Sequence, residues 1–307
     1  MDNPSNRKKL ILGTIALLGI AFVAVIIAFI LLSQLLPTMG GKCVAEVDIS
    51  YPLSVDGTPE TLFDSGYPGS EELTTKINEL NKRDDVGAVV FVFNSGGGST
   101  VASREIYESV KQLKKPKVSY FREAAASGAY YVATGTDYII SDPYAVTGSI
   151  GVLTESVNLA GLFDKLGINM SYVTSGPHKD MGSPFRNATV EEQQIIQGVV
   201  DEIYKDFRSK VAENRKGKLN VAKFDEATDG RIMTGKQAVS YGLVDATGNK
   251  QDAFLKAAQL GGMDAVTAED VRICKIDVRS TSSGLFGMAG LIHSFEERFP
   301  AVGIYFK

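Results

Sequence analysis

Two serines lie among small residues in a pattern suited to nucleophilic chemistry. Ser127 stands between an alanine run and a glycine in "EAAASGAYYVATG" (123–135), and Ser149 stands between two glycines in "TGSIG". Small neighbours let a substrate approach a side-chain hydroxyl closely. The structural alternative is strong for Ser127, because serine is a common helix N-cap and alanine and glycine also permit tight helix packing. The pattern of residues alone does not rank the two serines.

A run of three glycines, Gly96, Gly97 and Gly98, follows an apolar segment in "NSGGGS". Backbone N–H groups that carry no side chain can come close to a substrate oxygen, as an oxyanion hole requires. A tight turn between a strand and a helix is the alternative interpretation. A phosphate-binding loop is disfavoured, because no Gly-Lys-Ser/Thr follows the glycines.

A serine nucleophile needs a base, and the chain of 307 residues holds only His178 and His293 as histidines. His293 lies in the polar segment "HSFEERF", which is typical of a surface. The loop "SGPHKDMGSPFR" (175–186) places His178 and Lys179 side by side. A Ser-His-Asp arrangement would use His178 with Asp180 or another carboxylate, and a Ser-Lys arrangement would use Lys179. A solvated loop is the structural alternative for both residues.

The two possible bases differ in what they require of their surroundings. A lysine accepts a proton only when it is neutral, so a catalytic lysine needs its pKa to fall by about 3 from an ordinary value of about 10.4. This change costs about 4 kcal/mol. Burial among apolar groups can supply it, provided that Asp180 points away from Lys179.

The elements that would position these residues alternate between strand and helix. The apolar run "VGAVVFVF" (86–93) predicts a strand that is buried on both faces, as in a parallel sheet. Thr189 and Glu192 are spaced as a capping box at the start of a long helix over 189–215. Further helices are predicted over 70–85, 99–115 and 155–167, and further strands over 117–121, 137–142 and, less regularly, 168–174. This order indicates an α/β fold of stacked β-α-β units with the candidate residues at strand ends.

The N-terminal region predicts a membrane anchor. Leu10–Leu32 is uncharged and mostly apolar, and as a helix it would be about 35 Å long, enough to cross a hydrocarbon core of about 30 Å. It is too long for a signal peptide, whose apolar stretch has about 7–15 residues, and "PTMGGKC" is a poor cleavage site. Arg7, Lys8 and Lys9 place the N-terminus inside. We therefore expect a cytoplasmic segment 1–9, an anchor 10–36, an extracytoplasmic domain 42–279 and a loosely held tail 280–307.

Charge and cysteine content exclude several classes of function. With 36 acidic against 32 basic residues, the chain lacks the basic face that nucleic acid requires. Cys43 and Cys274 lie far apart in sequence, and nothing local indicates that they meet, so we expect two unrelated thiols, with a disulfide as the alternative. Neither has a histidine or cysteine nearby, so no zinc pattern is present and no cofactor is expected.

Five motifs in order resemble the signal peptide peptidase A family of membrane-anchored serine peptidases. "NSGGGS" is similar to the family's Asn-Ser-Pro-Gly-Gly, and "AASGAYY" to Ala-Ala-Ser-Gly-Gly-Tyr-Tyr. "TGSIGV", "SGPHKDMGSPFR" and "DGRIMTGKQAVSYGLVDATG" also match. The resemblance covers most of the chain after the anchor and implies the ClpP/crotonase-like fold. Two departures concern geometry only: Gly96 replaces the family's proline, and Ala129 replaces the second glycine after the nucleophile.

The resemblance also implies a role for each candidate residue. Ser127 would be the nucleophile, Lys179 the general base and Ser149 the residue that hydrogen-bonds and orients the lysine. The oxyanion hole would use the N–H of Gly128 and one N–H of the Gly97–Gly98 pair. Family members degrade apolar remnant signal peptides and assemble as ring-like homo-oligomers with active sites shared at subunit boundaries.

Three other functions stay open at this point. A related Ser-Lys peptidase that cleaves a stomatin-like partner protein shares the expected fold and dyad. A crotonase-type acyl-CoA enzyme shares the fold, but a domain outside the cytoplasm would meet little CoA. An inactive anchored scaffold would bind peptides without cutting them.

Overall fold

The computed structural model describes residues 41–59, 66–278 and 304–305, together with positions 19, 22, 23 and 25–27. The chain divides into two units, Met1–Gly41 and Lys42–Lys307. Positions 19, 22, 23 and 25–27 of the first unit are helical. Most of the predicted anchor 10–36 and nearly all of the predicted tail 280–307 lie outside the described residues. Among the residues that are described, no helix combines the length and apolarity needed to cross a membrane.

Strands and helices alternate through most of the second unit. The strands are β1 (Cys43–Ile49), β2 (Val86–Ser95), β3 (Lys117–Ala126), β4 (Tyr138–Ser141), β5 (Val146–Gly148), β6 (Leu153–Thr154), β7 (Ile232–Thr234), β8 (Ala246–Thr247), β9 (Ile273–Ile276) and β10 (Ile304–Tyr305). The helices are α1 (Ser70–Glu79), α2 (Thr100–Gln112), α3 (Gly128–Ala133), α4 (Ala160–Leu166), α5 (Val190–Asn214), α6 (Phe224–Ala227), α7 (Gly235–Tyr241) and α8 (Lys250–Leu260).

An eight-stranded, mostly parallel sheet forms the framework, with the path β7-β5-β3-β2-β1-β9. The long strand β3 pairs with β2 along one edge, and along the other edge it pairs first with β4 and then with β5. β4 also pairs with β8. β5 and β7 are antiparallel, as are β6 and β10, which form a separate pair. The carboxyl ends of β2, β3 and β5 therefore meet at one edge of the sheet.

The burial of β2 confirms the prediction, made from its apolar run, of a strand that is buried on both faces. Alternate residues of a strand point to opposite faces. Val89, Phe91 and Phe93 pack in the larger core cluster, to which α1 and α2 contribute. Val90 and Val92 pack on the other face in a second cluster with residues of α8. Helices thus cover both faces of the sheet, as parallel sheets require.

Several predicted elements have different limits in the structure, and one is absent. β3 continues past the predicted end at residue 121 to Ala126, so the strand leads directly into Ser127. The prediction of a strand over 168–174 is wrong, because these residues have no strand neighbour and form no sheet. An alternating sequence needs a partner strand to satisfy its backbone groups before it becomes a strand. The long helix is confirmed as α5, with its capping box formed by Thr189 and Glu192.

The expectation of two unrelated thiols is also wrong, because Cys43 and Cys274 form a disulfide with their Cα atoms 5.9 Å apart. β1 and β9 pair in parallel, with Ala45 opposite Cys274 in the register. The pairing of these strands brings the cysteines together although 231 residues separate them in sequence. Sheet register, which is not visible in local sequence, decided this contact.

Candidate active site

Ser127 occupies the junction of β3 and α3 in an unusual backbone conformation, with φ 53° and ψ −122°. Positive φ is uncommon for residues other than glycine. Among the described residues that are not glycine, only Ser127 and Ser149 have a positive φ. The Ser127 N–H donates to the Gly148 carbonyl at 2.9 Å, and its carbonyl accepts the Tyr131 N–H at 2.9 Å. These bonds maintain a conformation that costs about 1–3 kcal/mol, and such strain is concentrated at functional sites.

The Ser127 hydroxyl is fully buried, yet none of the described residues forms a hydrogen bond with it. Buried polar groups in proteins are nearly always paired, and leaving one unpaired lowers the stability of the fold. Each such group therefore needs an explanation. A hydroxyl that is free to bond with a base and to attack a substrate gives one.

The glycine loop after β2 lies directly against the start of α3. A Cβ atom on Gly97 would lie 2.6 Å from the Gly128 nitrogen and 3.1 Å from the Ser127 Cβ. A Cβ atom on Gly128 would lie 2.3 Å from the Ser103 Oγ. At Gly97 the close approach of two backbone segments excludes a side chain, whereas at Gly128 the obstacle is the Ser103 side chain.

Two backbone N–H groups near Ser127, those of Gly98 and Gly128, are the candidates for an oxyanion hole. The Gly97 N–H donates to the Ser95 Oγ at 3.2 Å. Leu53 forms a bridge with the glycine loop: its N–H donates to the Gly97 carbonyl, and its carbonyl accepts the Ser99 N–H. The Gly98 N–H takes no part in that bridge, and Gly128 is the first residue of α3, where an N–H has no acceptor within the helix. A negative oxygen placed there would also meet the positive end of a helix.

Ser149 follows β5 at the same edge of the sheet as Ser127. β3 and β5 are parallel, with Ala126 opposite Gly148, so the two serines leave neighbouring strands one residue later. The Ser149 N–H donates to the Arg231 carbonyl at 2.7 Å, and the residue is 8% exposed. The structure thus brings together Ser127, Ser149 and the predicted glycines 97, 98 and 128.

Lys179 is not part of this cluster in the structure of the single chain. It lies in a turn-rich segment before α5, and its side chain is exposed. The Lys179 N–H donates to the Gly176 carbonyl at 3.2 Å, which closes a turn. Since the Ser127 Oγ has no partner among the described residues, the predicted Ser127–Lys179 contact is not formed here.

His178 does not contact Ser127 either. Its Nε2 lies 3.6 Å from the Glu191 Oε1 near the start of α5, and this carboxylate is largely exposed. Its Nδ1 is buried and has no hydrogen-bond partner among the described residues. A Ser-His-Asp arrangement with Ser127 and Asp180 is therefore absent from this part of the chain, because Asp180 pairs with Arg186 instead.

Arg186 connects the loop that carries Lys179 to the first turn of α5. Its Nε and Nη2 donate to the two carboxylate oxygens of Asp180 at 2.7 and 2.9 Å. Its Nη1 and Nη2 donate to the Glu192 carboxylate at 2.8 and 2.5 Å. Glu192 is 1% exposed and also accepts the Thr189 N–H in the capping box. Asp180 is therefore turned toward Arg186, which is the condition that a lysine base at 179 requires.

These contacts change the ionisation of the cluster. The hydrogen bonds from Arg186, together with the Thr189 N–H, lower the pKa of Glu192 to about 2. The Arg186 hydrogen bonds likewise lower the pKa of Asp180. The two carboxylates raise the pKa of Arg186. All three groups are therefore charged at neutral pH.

The segment before this loop exposes an unusual amount of apolar surface. α4 buries none of its residues. Large apolar side chains are exposed along residues 157–173, among them Val157, Leu162, Leu166, Ile168, Met170 and Val173. Val173 is fully exposed. Contiguous exposed apolar surface is typical of a protein interaction site.

Comparison with known proteins identifies the family. Residues 109–264 match the model of Peptidase family S49. A proposed protease of Methanocaldococcus jannaschii is 33% identical over 252 residues, which cover 81% of this chain and 80% of that protein.

The chain belongs to peptidase family S49.

A further relative agrees with this assignment, and one solved structure shows a weak likeness that adds nothing to it. A proposed signal peptide peptidase SppA of Enterococcus faecium is 36% identical over 210 residues, covering 66% of this chain and 60% of that protein. In the solved structures, an alanine mutant of a membrane-bound stomatin-specific protease aligns with a TM-score of 0.48 at 15% identity, covering 77% of this chain and 99% of that one. This S49 chain is thus an SppA-family peptidase of the ClpP-like superfamily, as its motifs predicted.

Sequence reasoning missed the residues that support the site. Arg186 had no predicted role, because its contacts with Asp180 and Glu192, each six residues away, depend on the turns of the loop and have no local sequence signal. The turn at Asp229 and Arg231 was also missed. The Arg231 guanidinium binds the Asp229 carboxylate at 2.7 Å while its carbonyl holds Ser149, so this S49 chain anchors Ser149 from a distant segment.

Proposed function

We propose that this chain is a membrane-anchored serine endopeptidase that uses a Ser127–Lys179 dyad to degrade apolar peptides such as remnant signal peptides. The observation that carries the proposal is the buried Ser127 hydroxyl, which has no hydrogen-bond partner among the described residues and belongs to a residue in a strained backbone conformation near Gly98 and Gly128. Membership of a peptidase family supports the reaction class.

The proposed reaction proceeds through an acyl-enzyme. The Ser127 Oγ attacks the peptide carbonyl carbon while the Lys179 amine takes the serine proton. The resulting oxyanion accepts hydrogen bonds from Gly98 and Gly128. Lys179 then protonates the leaving amine as the C–N bond breaks, and a water molecule hydrolyses the ester with Lys179 again as base. Ser149 accepts or donates a hydrogen bond that orients the lysine.

Completion of the dyad is proposed to require a second copy of the chain. Lys179 is exposed, and the segment before it presents an apolar surface that includes Leu162 and Val173. Packing of a neighbouring copy against this surface would bury the apolar side chains and exclude water from the Lys179 loop. Burial is also what a neutral lysine needs. A ring-like homo-oligomer with shared active sites is therefore part of the proposal.

The proposed location is the outer face of a membrane, with the N-terminus in the cytoplasm. The apolar residues 10–36 would form the anchor, and Arg7, Lys8 and Lys9 would stay inside. The Cys43–Cys274 disulfide supports this orientation, because disulfides persist mainly in oxidising compartments outside the cytoplasm.

The test is hydrolysis of a quenched-fluorescence apolar peptide by the full chain in detergent micelles. We expect Ser127→Ala and Lys179→Ala to be inactive, Ser149→Ala to be impaired and His178→Ala to retain most activity. Loss of activity in His178→Ala with an active Lys179→Ala would replace the dyad by a histidine mechanism. A parent without activity on several peptides and at all pH values would favour the scaffold function. Cleavage of a stomatin-like protein, but of no free peptide, would favour the partner-specific alternative.

A further inference from the structure

We propose that Arg186 is a positioning residue for the catalytic base, which binds Asp180 so that this carboxylate cannot pair with the neighbouring Lys179. The inference rests on the proposed function, in which Lys179 is the base. It adds a residue that touches neither the substrate nor the nucleophile and acts through the loop 175–186.

The geometry of the guanidinium carries the argument. Arg186 uses Nε and both Nη atoms, with donor–acceptor distances of 2.5 to 3.0 Å, to the Asp180 carboxylate, the Glu192 carboxylate and the Asn187 carbonyl. Every oxygen of both carboxylates is engaged. A planar guanidinium can form two such paired contacts at once, whereas a lysine ammonium cannot.

The position of Asp180 explains why this pairing matters. Asp180 is the sequence neighbour of Lys179, and a free carboxylate close to an amine favours the protonated amine. A protonated Lys179 could not accept the proton of Ser127. Because Arg186 binds both Asp180 oxygens, Asp180 does not form a competing ion pair with Lys179.

The other titratable and charged groups of the loop and of the start of α5 have partners of their own. The His178 Nε2 lies 3.6 Å from the Glu191 Oε1. The second carboxylate of the cluster, Glu192, shares Arg186 and lies at the positive N-terminal end of α5, where it accepts the Thr189 N–H at 2.8 Å. Of these groups, Asp180 is the direct sequence neighbour of Lys179, so its release would affect the lysine most.

Arg186 also fixes the shape of the loop. Successive turns are closed by the Lys179 N–H to Gly176, the Met181 N–H to His178 and the Ser183 N–H to Asp180. The ion pairs join these turns to the buried Glu192 at the start of α5. The loop is therefore tied to a long helix rather than held only by its own hydrogen bonds.

A double-mutant cycle on the full chain tests the proposal with two measurements. The first is the pH dependence of kcat/KM on the apolar peptide. The second is the pH dependence of Lys179 acetylation by acetic anhydride, read by peptide mass spectrometry, which needs no catalytic activity because only neutral amines react. The variants are Arg186→Gln, Asp180→Asn and Asp180→Asn/Arg186→Gln.

We expect Arg186→Gln to move the half-maximal pH of both measurements upward by about one unit, with about a tenfold loss of kcat/KM on the acidic side. In the parent, Asp180→Asn should change both half-maximal pH values little, because Arg186 already binds Asp180. In the Arg186→Gln background, it should restore the lower half-maximal pH. If Arg186→Gln fails to fold, Arg186→Lys, which keeps one charge but not the paired geometry, should show a smaller shift in the same direction.

Arg83→Gln is the matched control. Arg83 binds Asp85 through Nε and Nη2 at 2.7 Å each, the same paired geometry, at the opposite end of β2 from the candidate site. It should leave both profiles unchanged. Unchanged labelling and pH profiles in Arg186→Gln, or a shift that Asp180→Asn does not reverse, would overturn the proposal. A parent that labels as expected but cleaves no peptide would refute the proposed function alone.

Discussion

The N–H of Ser127 donates a 2.9 Å hydrogen bond to the carbonyl of Gly148, so the residue after β3 is tied to the last residue of β5. Because Ser149 follows Gly148 directly, this one bond sets the spacing of the two serines. Both have positive φ, and the N–H of each donates to a backbone carbonyl of another segment. The relative position of a proposed nucleophile and its proposed partner is thus a property of the sheet.

Replacement of Ser127 by alanine should remove activity without reducing stability. The hydroxyl is buried and has no hydrogen-bond partner among the described residues, so its loss removes a polar group that these residues leave unpaired. We expect at least a thousandfold loss of kcat/KM, on the order seen for serine nucleophiles, and an equal or higher Tm in thermal denaturation.

Ser119→Ala is the control for this prediction. The Ser119 hydroxyl is equally buried but forms a hydrogen bond of 3.0 Å with the Thr136 Oγ1, so its removal loses that bond and should cost about 1 kcal/mol. A Ser127→Ala variant that loses as much stability as Ser119→Ala would show that the Ser127 hydroxyl has a structural role.

Gly128→Ala should destabilise the chain and remove most activity. The added Cβ would lie 2.3 Å from the Ser103 Oγ, and overpacking of this kind costs about 1–3 kcal/mol. Adding Ser103→Ala should restore part of the stability, since the nearest remaining atom would be the residue 103 Cβ at 3.3 Å. Urea denaturation measures both effects. Gly96→Ala, where no heavy atom lies within 4 Å of the added Cβ, should leave stability unchanged.

The stability of the fold should decrease as the pH is lowered through the range in which Glu192 becomes protonated. Its pKa is about 2 in the folded chain, against an ordinary value of about 4.3, so the folded state favours the carboxylate. The stabilisation is complete above about pH 5 and is lost as the pH falls toward 2. Asp180 contributes in the same direction.

Glu192→Gln should flatten this dependence in urea denaturation between pH 3 and 7. Glu213→Gln serves as the control on the same helix, because its exposed pair with Lys210 contributes little. An unchanged slope in Glu192→Gln would contradict the assignment of the pH dependence to the Arg186 cluster.

Reduction of the Cys43–Cys274 disulfide should lower the stability of the second unit. The bond connects β1 to the edge strand β9 and closes a long loop, for which about 2–5 kcal/mol is typical. We expect a lower Tm when reductant is present, and a Cys43→Ala/Cys274→Ala variant whose Tm is low and independent of reductant. Two titratable thiols in the denatured, non-reduced parent would contradict the disulfide.

Much of the framework was predictable because local patterns report burial directly. A continuous apolar run such as residues 86–93 can be satisfied only by a strand covered on both faces. The capping box of Thr189 and Glu192 predicted the start of α5, because the bonds that form it are local. The serine and glycine motifs indicated peptidase chemistry only through their resemblance to a peptidase family, because the same residue types also form helix caps and tight turns.

Contacts between distant segments could not be read in the same way. The end of β3 at Ala124–Ala126 has low strand propensity, and it is a strand because β5 pairs with it. The alternating residues 168–174 are not a strand, because no neighbouring strand is available to them.

The sequence by itself determined which groups can do chemistry: Ser127, Lys179, Ser149 and the glycines, together with the apolar patterns that build the sheet. The tertiary structure decided which of these groups meet. Sheet register placed Ser127 beside Ser149 and joined Cys43 to Cys274, and the fold of the loop brought Arg186 to Asp180. The physical reason is that residue identity sets the possible chemistry, whereas distance and burial depend on pairings between segments that no local pattern contains.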